Sequence, residues 1–214
     1  MKVNGSKTSM ICISGAQSYE ARSHIFTADG QTVRSGQSMK VLGFHFSDRP
    51  TVHAHVEALC KQMRKKFWVL FQLKRAGFTE EELARAYRVC LLPTLDYCAP
   101  VYHSLLTDLQ DQQLERLQAS ALRCIYGYNT PYSLMRVKAE VTTLRQRRIE
   151  ALDKFAAKSL TNPMFSSWFP YKAAGRSRRG EMFLEEHARC NRLKDSPIFY
   201  MRSCLLYTSP SPRD

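Results

Sequence analysis

Acidic residues are scarce in this chain of 214 residues: 19 Asp plus Glu stand against 32 Lys plus Arg, for a formal net charge of +13. A domain with that surplus either binds a polyanion or carries basic tails. The surplus favours a polyanionic partner, nucleic acid first and an anionic membrane surface second. No run of 18 apolar residues occurs, so no membrane span is expected. Residues 1–15 hold Asn4, Gly5, Ser6 and Lys7 and no long apolar stretch, so no secretory signal is expected. Cys12, Cys60, Cys90, Cys98, Cys124, Cys190 and Cys204 include no CxxC pair and no Cys/His cluster at zinc spacing. Most fall in apolar helical patterns, where a free thiol behaves as a small hydrophobe. A reducing, intracellular compartment follows as an expectation. A GxxxxGK(S/T) phosphate loop and a Ser/His/Asp set are also missing. His53 and His55 are badly spaced for one helix face and lack a third ligand, so a metal is not expected there.

Hydrophobic residues make up 44% of the chain, enough for a buried core. Residues 8–14 (TSMICIS) predict a short buried strand. Short strands are expected around Ser23–Thr27 and Gln31–Val33, with Ala28-Asp29-Gly30 as the turn between them. Met39–Phe46 (MKVLGFHF) carries apolar groups on both faces and reads as the strongest strand.

After Pro50 the pattern changes to helix. Val52, Val56, Leu59, Met63, Phe67, Leu70 and Leu73 recur at three-to-four spacing, and Gly77 ends the run. Thr79 with Glu82 forms a capping box for a second helix. Pro93 is expected to kink or break it, with helix resuming from Leu95 to Leu105. Thr107 caps a third helix with Leu109, Leu114, Leu117, Ala121, Leu122 and Ile125 inward, stopped by Gly127. Pro131–Val141 predicts a shorter helix. Thr143–Leu160 predicts a long one, with Leu144, Ile149, Leu152, Phe155 and Ala156 inward and Arg145, Arg147 and Arg148 outward or flanking. The aromatic side chains Phe67, Trp68, Tyr87, Tyr97 and Tyr102 fall at core spacing rather than as base-stacking platforms. Beyond Phe169 the periodicity fades. Arg176, Arg178 and Arg179 form a basic stretch, and one short helix is expected around Met182–Arg189. Cys204–Asp214 (CLLYTSPSPRD) reads as a translated sequencing adapter, so the natural chain is expected to depart from this one after about Ser203.

Strands followed by helices give an α+β class, mostly α. The expected organisation is a small antiparallel β portion over residues 1–49, helices over 50–170, a basic segment over 171–203 and the adapter-like segment over 204–214.

Ordered motifs add a resemblance. The opening VNGSKTSMICIS, with Val3, Asn4, Lys7 and Thr8, is similar to the stretch after the YxDD turn in reverse transcriptases of LINE and jockey type. Met39-Lys40-Val41-Leu42-Gly43 resembles the following primer-grip hairpin, and Asp48, His55 and Val56 suit its continuation. Leu92 to Tyr102 (LPTLDYCAPVY) resembles a thumb segment. Leu114-Glu115-Arg116-Leu117-Gln118 with Leu122 to Gly127, then Arg147-Arg148 to Phe155 and Asn162-Pro163-Met164-Phe165 to Phe169, resemble later boxes. Arg192, Ser196 and Pro197 suit the last. The likeness runs over roughly residues 1–203.

The resemblance implies the C-terminal piece of a non-LTR retrotransposon reverse transcriptase, the end of the palm plus the helical thumb. The palm would be the β remnant, and the thumb would grip an RNA template/cDNA duplex. The implied partners are RNA template, cDNA or target DNA and the rest of a polyprotein, in cytoplasm and nucleus, with no membrane. Polymerisation needs paired carboxylates holding Mg²⁺. No Asp-Asp pair exists in this chain, so it is expected to be catalytically incomplete and cofactor-free, with Mg²⁺ belonging to the intact parent. Lys7 is implied as an auxiliary to catalysis in that parent, at the leaving pyrophosphate. Leu42 and Gly43 would press on the primer end. Lys61, Arg64, Lys65, Lys66, Lys74 and Arg75 on the first long helix, and Arg145, Arg147 and Arg148 on the later one, are candidate phosphate contacts. Two other readings stay open. One is a stand-alone helical nucleic-acid-binding module, and the other is a helical protein–protein interaction domain.

Overall fold

A computed structural model describes residues 8–13, 25–28, 31–49, 51–169 and 196–208. Lys7, Arg176, Arg178, Arg179, the helix expected around Met182–Arg189, and residues 209–214 lie outside them. The chain divides into two compact units, Met1–Lys66 and Phe67–Asp214. The class is α+β and mostly α. The change from strand to helix falls near residue 50, as the sequence indicates, but the boundary between units falls inside the first helix.

The first unit holds five short strands: β1 (Met10–Ile11), β2 (Ile25–Ala28), β3 (Gln31–Gly36), β4 (Ser38–Val41) and β5 (Phe44–Ser47). They form a three-stranded sheet of order β1-β3-β2 and a two-stranded sheet β4-β5. β2 pairs antiparallel with β3, with Ala28 opposite Gln31. β1 runs parallel to β3, with Met10 opposite Ser35. The β portion is therefore mixed, not purely antiparallel.

The eight residues Met39–Phe46 are not one strand. They fold back as the β4-β5 hairpin, with Val41 paired to Phe44. The two residues between them, Leu42 (φ 48°) and Gly43 (φ 85°), are both left-handed. Two successive positive φ values give the turn whose twist matches that of the flanking strands. Leu is an unusual residue there, because its Cβ meets the following carbonyl. Only Gly43 signalled the turn.

α1 (His53–Arg75) follows. Val52, Val56, Leu59, Met63 and Leu70 are buried at the predicted spacing. Trp68 breaks the expectation, being 65% exposed. It lies three, four and seven residues after Lys65, Arg64 and Lys61, and so shares their solvent face.

The second unit is helical. α2 (Glu80–Ala86) begins at the Thr79/Glu82 capping box. A π-helical turn, Tyr87–Leu91, leads into α3 (Leu92–Asp96). The wide turn leaves room for Pro93, which has no N–H to donate. The true break comes later. Tyr97 is extended, Cys98 is left-handed (φ 58°), and α4 (Ala99–Tyr102) restarts with Pro100 in its first turn. Pro100 could not bond to the Asp96 carbonyl, and its ring would strike it. Helix therefore does not run from Leu95 to Leu105, and His103–Leu105 is a 3₁₀ turn.

α5 (Asp108–Tyr126) has the Thr107 cap and stops at Gly127, φ 84°. It buries Leu114, Leu117, Gln118, Ala119, Ala121, Leu122 and Ile125. Leu109 is 78% exposed instead of inward. It shares a face with Gln113 and Arg116, not with the buried set. α6 (Tyr132–Lys138) and α7 (Leu144–Leu160) match the two later predictions. A 3₁₀ segment, Pro163–Trp168, follows, and α8 (Pro197–Thr208) includes the first residues of the adapter-like segment. Leu152, Ala156, Phe169 and Met201 form one apolar cluster, flanked by Phe155, Trp168, Ile198 and Tyr200.

A polar spine runs through this unit. The Gln118 side chain is fully buried. Its amide oxygen accepts from the Tyr87 hydroxyl (3.1 Å), and its nitrogen donates to Tyr132 Oη (3.0 Å) and the Thr142 carbonyl (2.9 Å). Tyr132 donates to Glu115 Oε1, and the Leu144 amide donates to Glu115 Oε2. Each polar group of this network thus finds a partner, so it ties the π-helical turn, α5, α6 and the start of α7 together without an unmet polar cost within it. Burial pushes the Tyr87 and Tyr132 hydroxyls well above the usual tyrosine range; for Tyr132 the bond to Glu115 adds to it.

Candidate nucleic-acid interface

α1 contains six cations, Lys61, Arg64, Lys65, Lys66, Lys74 and Arg75, and one carboxylate, Glu57. Glu57 is turned to His53 one turn earlier, at 3.5 Å. Lys61, Arg64, Lys65 and Arg75 are exposed, and none makes an ion pair among the described residues. Lys66 is half-buried. Trp68 stands exposed on the same helix, and Phe71 is about half exposed. Exposed cations next to exposed rings suit a polyanion whose bases have π faces.

Lys74 has a different task. Its Nζ donates to the Cys124 carbonyl at 2.6 Å and the Ile125 carbonyl at 3.2 Å. These are among the carbonyls left without helical partners at the end of α5, where the helix dipole favours a cation. Lys74 is thus a helix cap, and a phosphate would have to compete for it.

The arginines of α7 separate in the same way. Arg145 is exposed. Arg147 Nε donates to both Asp96 oxygens, at 3.1 and 3.2 Å. Arg148 is 2% exposed and ion-paired with Asp111. The outward expectation for Arg147 and Arg148 is corrected: carboxylates on α3 and α5 draw both guanidinium groups in, and Arg148 is unavailable to an external phosphate. Arg88 is also spent internally, donating to the Ala139 carbonyl at 2.8 Å and pairing with Glu140 at 3.0 Å.

Leu42 sits at the hairpin tip, 87% exposed, beside Gly43. A large apolar side chain held out to solvent at positive φ is strained, and such strain gathers at contact sites. A two-residue hairpin occurs in many folds and identifies none of them.

His55 is buried and His103 half-buried. Burial, then repulsion from His45, lowers the His55 pKa to about 4. His55 stacks on Phe44 with ring centroids 4.3 Å apart. In the second unit burial, then repulsion from Arg148, lowers His103 to about 4 against the opposing pull of Asp111. Its Nε2 lies 3.4 Å from the Tyr200 hydroxyl. Neither histidine belongs to a group of three metal-ligating side chains; among the described residues no such group exists. Nor is any helix of the described residues long and apolar enough to cross a membrane.

Neither family models, nor curated proteins, nor solved structures give a match to this chain.

Sequence reasoning missed Arg116 and Arg123 on α5. Both are exposed and line an open groove of about 270 Å³ with Gln112, Glu115, Ala119 and Tyr132. The signal was present, since residues seven apart share a helix face.

Proposed function

We propose that this chain is the end of the palm and the thumb of a non-LTR retrotransposon reverse transcriptase, and that it grips the RNA–cDNA duplex from α1. The observation that carries the reading is the exposed set Lys61, Arg64 and Lys65, which makes no ion pair among the described residues, on a helix with a single carboxylate. A rigid helix lays such cations along a phosphate backbone and reads shape, not sequence. Trp68 and Phe71 add apolar surface beside the sugar edge, and the Leu42 tip is the candidate contact for the primer end. Arg75 and Arg145, both in the second unit, are further exposed cations. Synthesis would fall to Mg²⁺-binding carboxylates of an intact enzyme, with the chain acting intracellularly beside RNA template, cDNA and the rest of the polyprotein.

The test is binding of a labelled RNA–DNA hybrid to the whole chain. Lys61→Glu, Arg64→Glu and Lys65→Glu together should weaken binding at low salt by at least about tenfold. Unchanged affinity would remove α1 as the interface. A stand-alone nucleic-acid-binding module would bind hybrid and blunt double-stranded DNA alike, whereas the thumb reading predicts preference for the A-like hybrid.

A further inference from the structure

α8 rests on α7, on α4 and on the 3₁₀ turn His103–Leu105. Three of its side chains make the joint. Met201 is buried in the apolar cluster with Leu152, Ala156 and Phe169. Arg202 Nε donates to the Trp168 carbonyl at 2.5 Å. The Tyr200 hydroxyl lies 3.4 Å from His103 Nε2, and the two rings meet edge to face with centroids 5.3 Å apart. All three residues precede the adapter-like segment.

His103 is the group of this joint suited to change charge in mildly acidic solution. The charges acting on it are Arg148 and Arg145 from α7 and Asp111 from α5. Asp111 is already paired with Arg148. Tyr102 of α4 spends its hydroxyl on the Leu95 carbonyl at 2.5 Å. Arg202, the cation of α8, spends its Nε on Trp168. A protonated imidazole carries N–H donors on both nitrogens. Nδ1 is buried and meets no hydrogen-bond partner among the described residues. Two guanidinium groups against one committed carboxylate repel the new charge. Water would satisfy both donors once the ring is exposed, so the charged ring favours the open joint.

We propose that α8 is an acid-released strap: protonation of His103 breaks its contact with Tyr200 and lifts α8 from α7, uncovering the apolar cluster while the other helices of the unit stay folded. The Gln118 network that ties those helices contains no histidine. With α8 docked the His103 pKa is about 4, and in the released state it returns to 6.5. A lowered pKa in the docked state favours docking above pH 6.5, and that contribution is lost as pH falls through 4. The ratio of released to docked α8 should therefore be about twentyfold higher at pH 5 than at pH 7. The strap is independent of the α1 interface, since the two share no residue.

The experiment is hydrogen exchange on the whole chain at pH 7 and pH 5, corrected for the intrinsic rate at each pH. The amides of Tyr200–Ser203 should open about twentyfold more often at pH 5, with α5 unchanged. His103→Phe keeps a ring against Tyr200 and takes no proton; His103→Gln keeps a polar group there and takes none either. Both variants should protect α8 equally at the two pH values. Trp68→Phe leaves Trp168 as the sole tryptophan, and its emission should move to longer wavelength over the same pH range. Protection of α8 that does not change with pH in the parent overturns the proposal. So does a rise that persists in both histidine variants, or a loss in which α5 opens together with α8. Should neither variant fold, the parent's contrast between α8 and α5 and a Trp168 transition lying between pH 6.5 and 4 decide the matter.

Discussion

Replacing Asp111 and Arg148, singly and together, separates a structural cation from a phosphate-binding one. Arg148 is 2% exposed, while the Asp111 side chain is 26% exposed. That asymmetry sets the magnitudes. Asp111→Ala strands a guanidinium in the interior and should cost about 3–5 kcal/mol. Arg148→Met removes the buried charge and leaves a carboxylate that water can reach, so it should cost less, about 1–2 kcal/mol. The double variant should resemble Arg148→Met alone, because the penalty of Asp111→Ala exists only while Arg148 is present. Thermal unfolding followed by circular dichroism reads this out, at about 2–4 °C per kcal/mol for a domain of this size. Asp111→Ala should thus lower Tm by about 6–20 °C. The salt slope for hybrid binding should not move in Arg148→Met. An Arg148→Met chain with unchanged Tm and a slope flatter by about 0.9 would place Arg148 on a phosphate and refute the reasoning.

Three further outcomes follow from the same geometry. Lys74→Met removes the cation at the end of α5 and should cost about 1 kcal/mol in urea unfolding, with no change in salt slope. A loss confined to nucleic-acid affinity would contradict the capping role. Leu42→Asn places a residue that tolerates positive φ in the hairpin turn and should raise stability by about 1 kcal/mol, because Leu is strained there; a destabilised variant would show that the Leu42 side chain holds the turn. For pH, the folded His103 pKa lies at about 4, below the unfolded value of 6.5. The fold therefore prefers neutral imidazole. Its contribution is complete above pH 6.5 and is lost as pH falls from there through about 4. His55 acts in the same direction in the first unit. Tm that stays flat from neutral pH down to about 4 would contradict both.

The helices were legible because their ends carry local chemistry. Thr79 with Glu82, Thr107 and Gly127 each sit where the structure caps or stops a helix. The buried face of α1 could be read from spacing alone. What stayed hidden depends on distant partners. Arg148 meets Asp111 across 37 residues, Arg147 meets Asp96 across 51, and Lys74 meets Cys124 across 50. Periodicity ranks faces of one helix and is silent about which carboxylate lies opposite. For that reason the basic α7 group looked like a single phosphate contact, when Arg145 alone of the three is exposed. In the Met39–Phe46 run apolar pattern alone read one strand, because Leu42 is not a turn-forming residue, whereas the motif resemblance had a hairpin there. Trp68 was placed at core spacing with Phe67, although its register also matches the cations, and it is 65% exposed.

The most direct measurement is the affinity of the whole chain for an RNA–DNA hybrid across a salt series. Three phosphate-bound cations on α1 predict a slope of log K against log salt of roughly −2.7 or steeper. A slope near zero, or no binding at low ionic strength, would contradict the account.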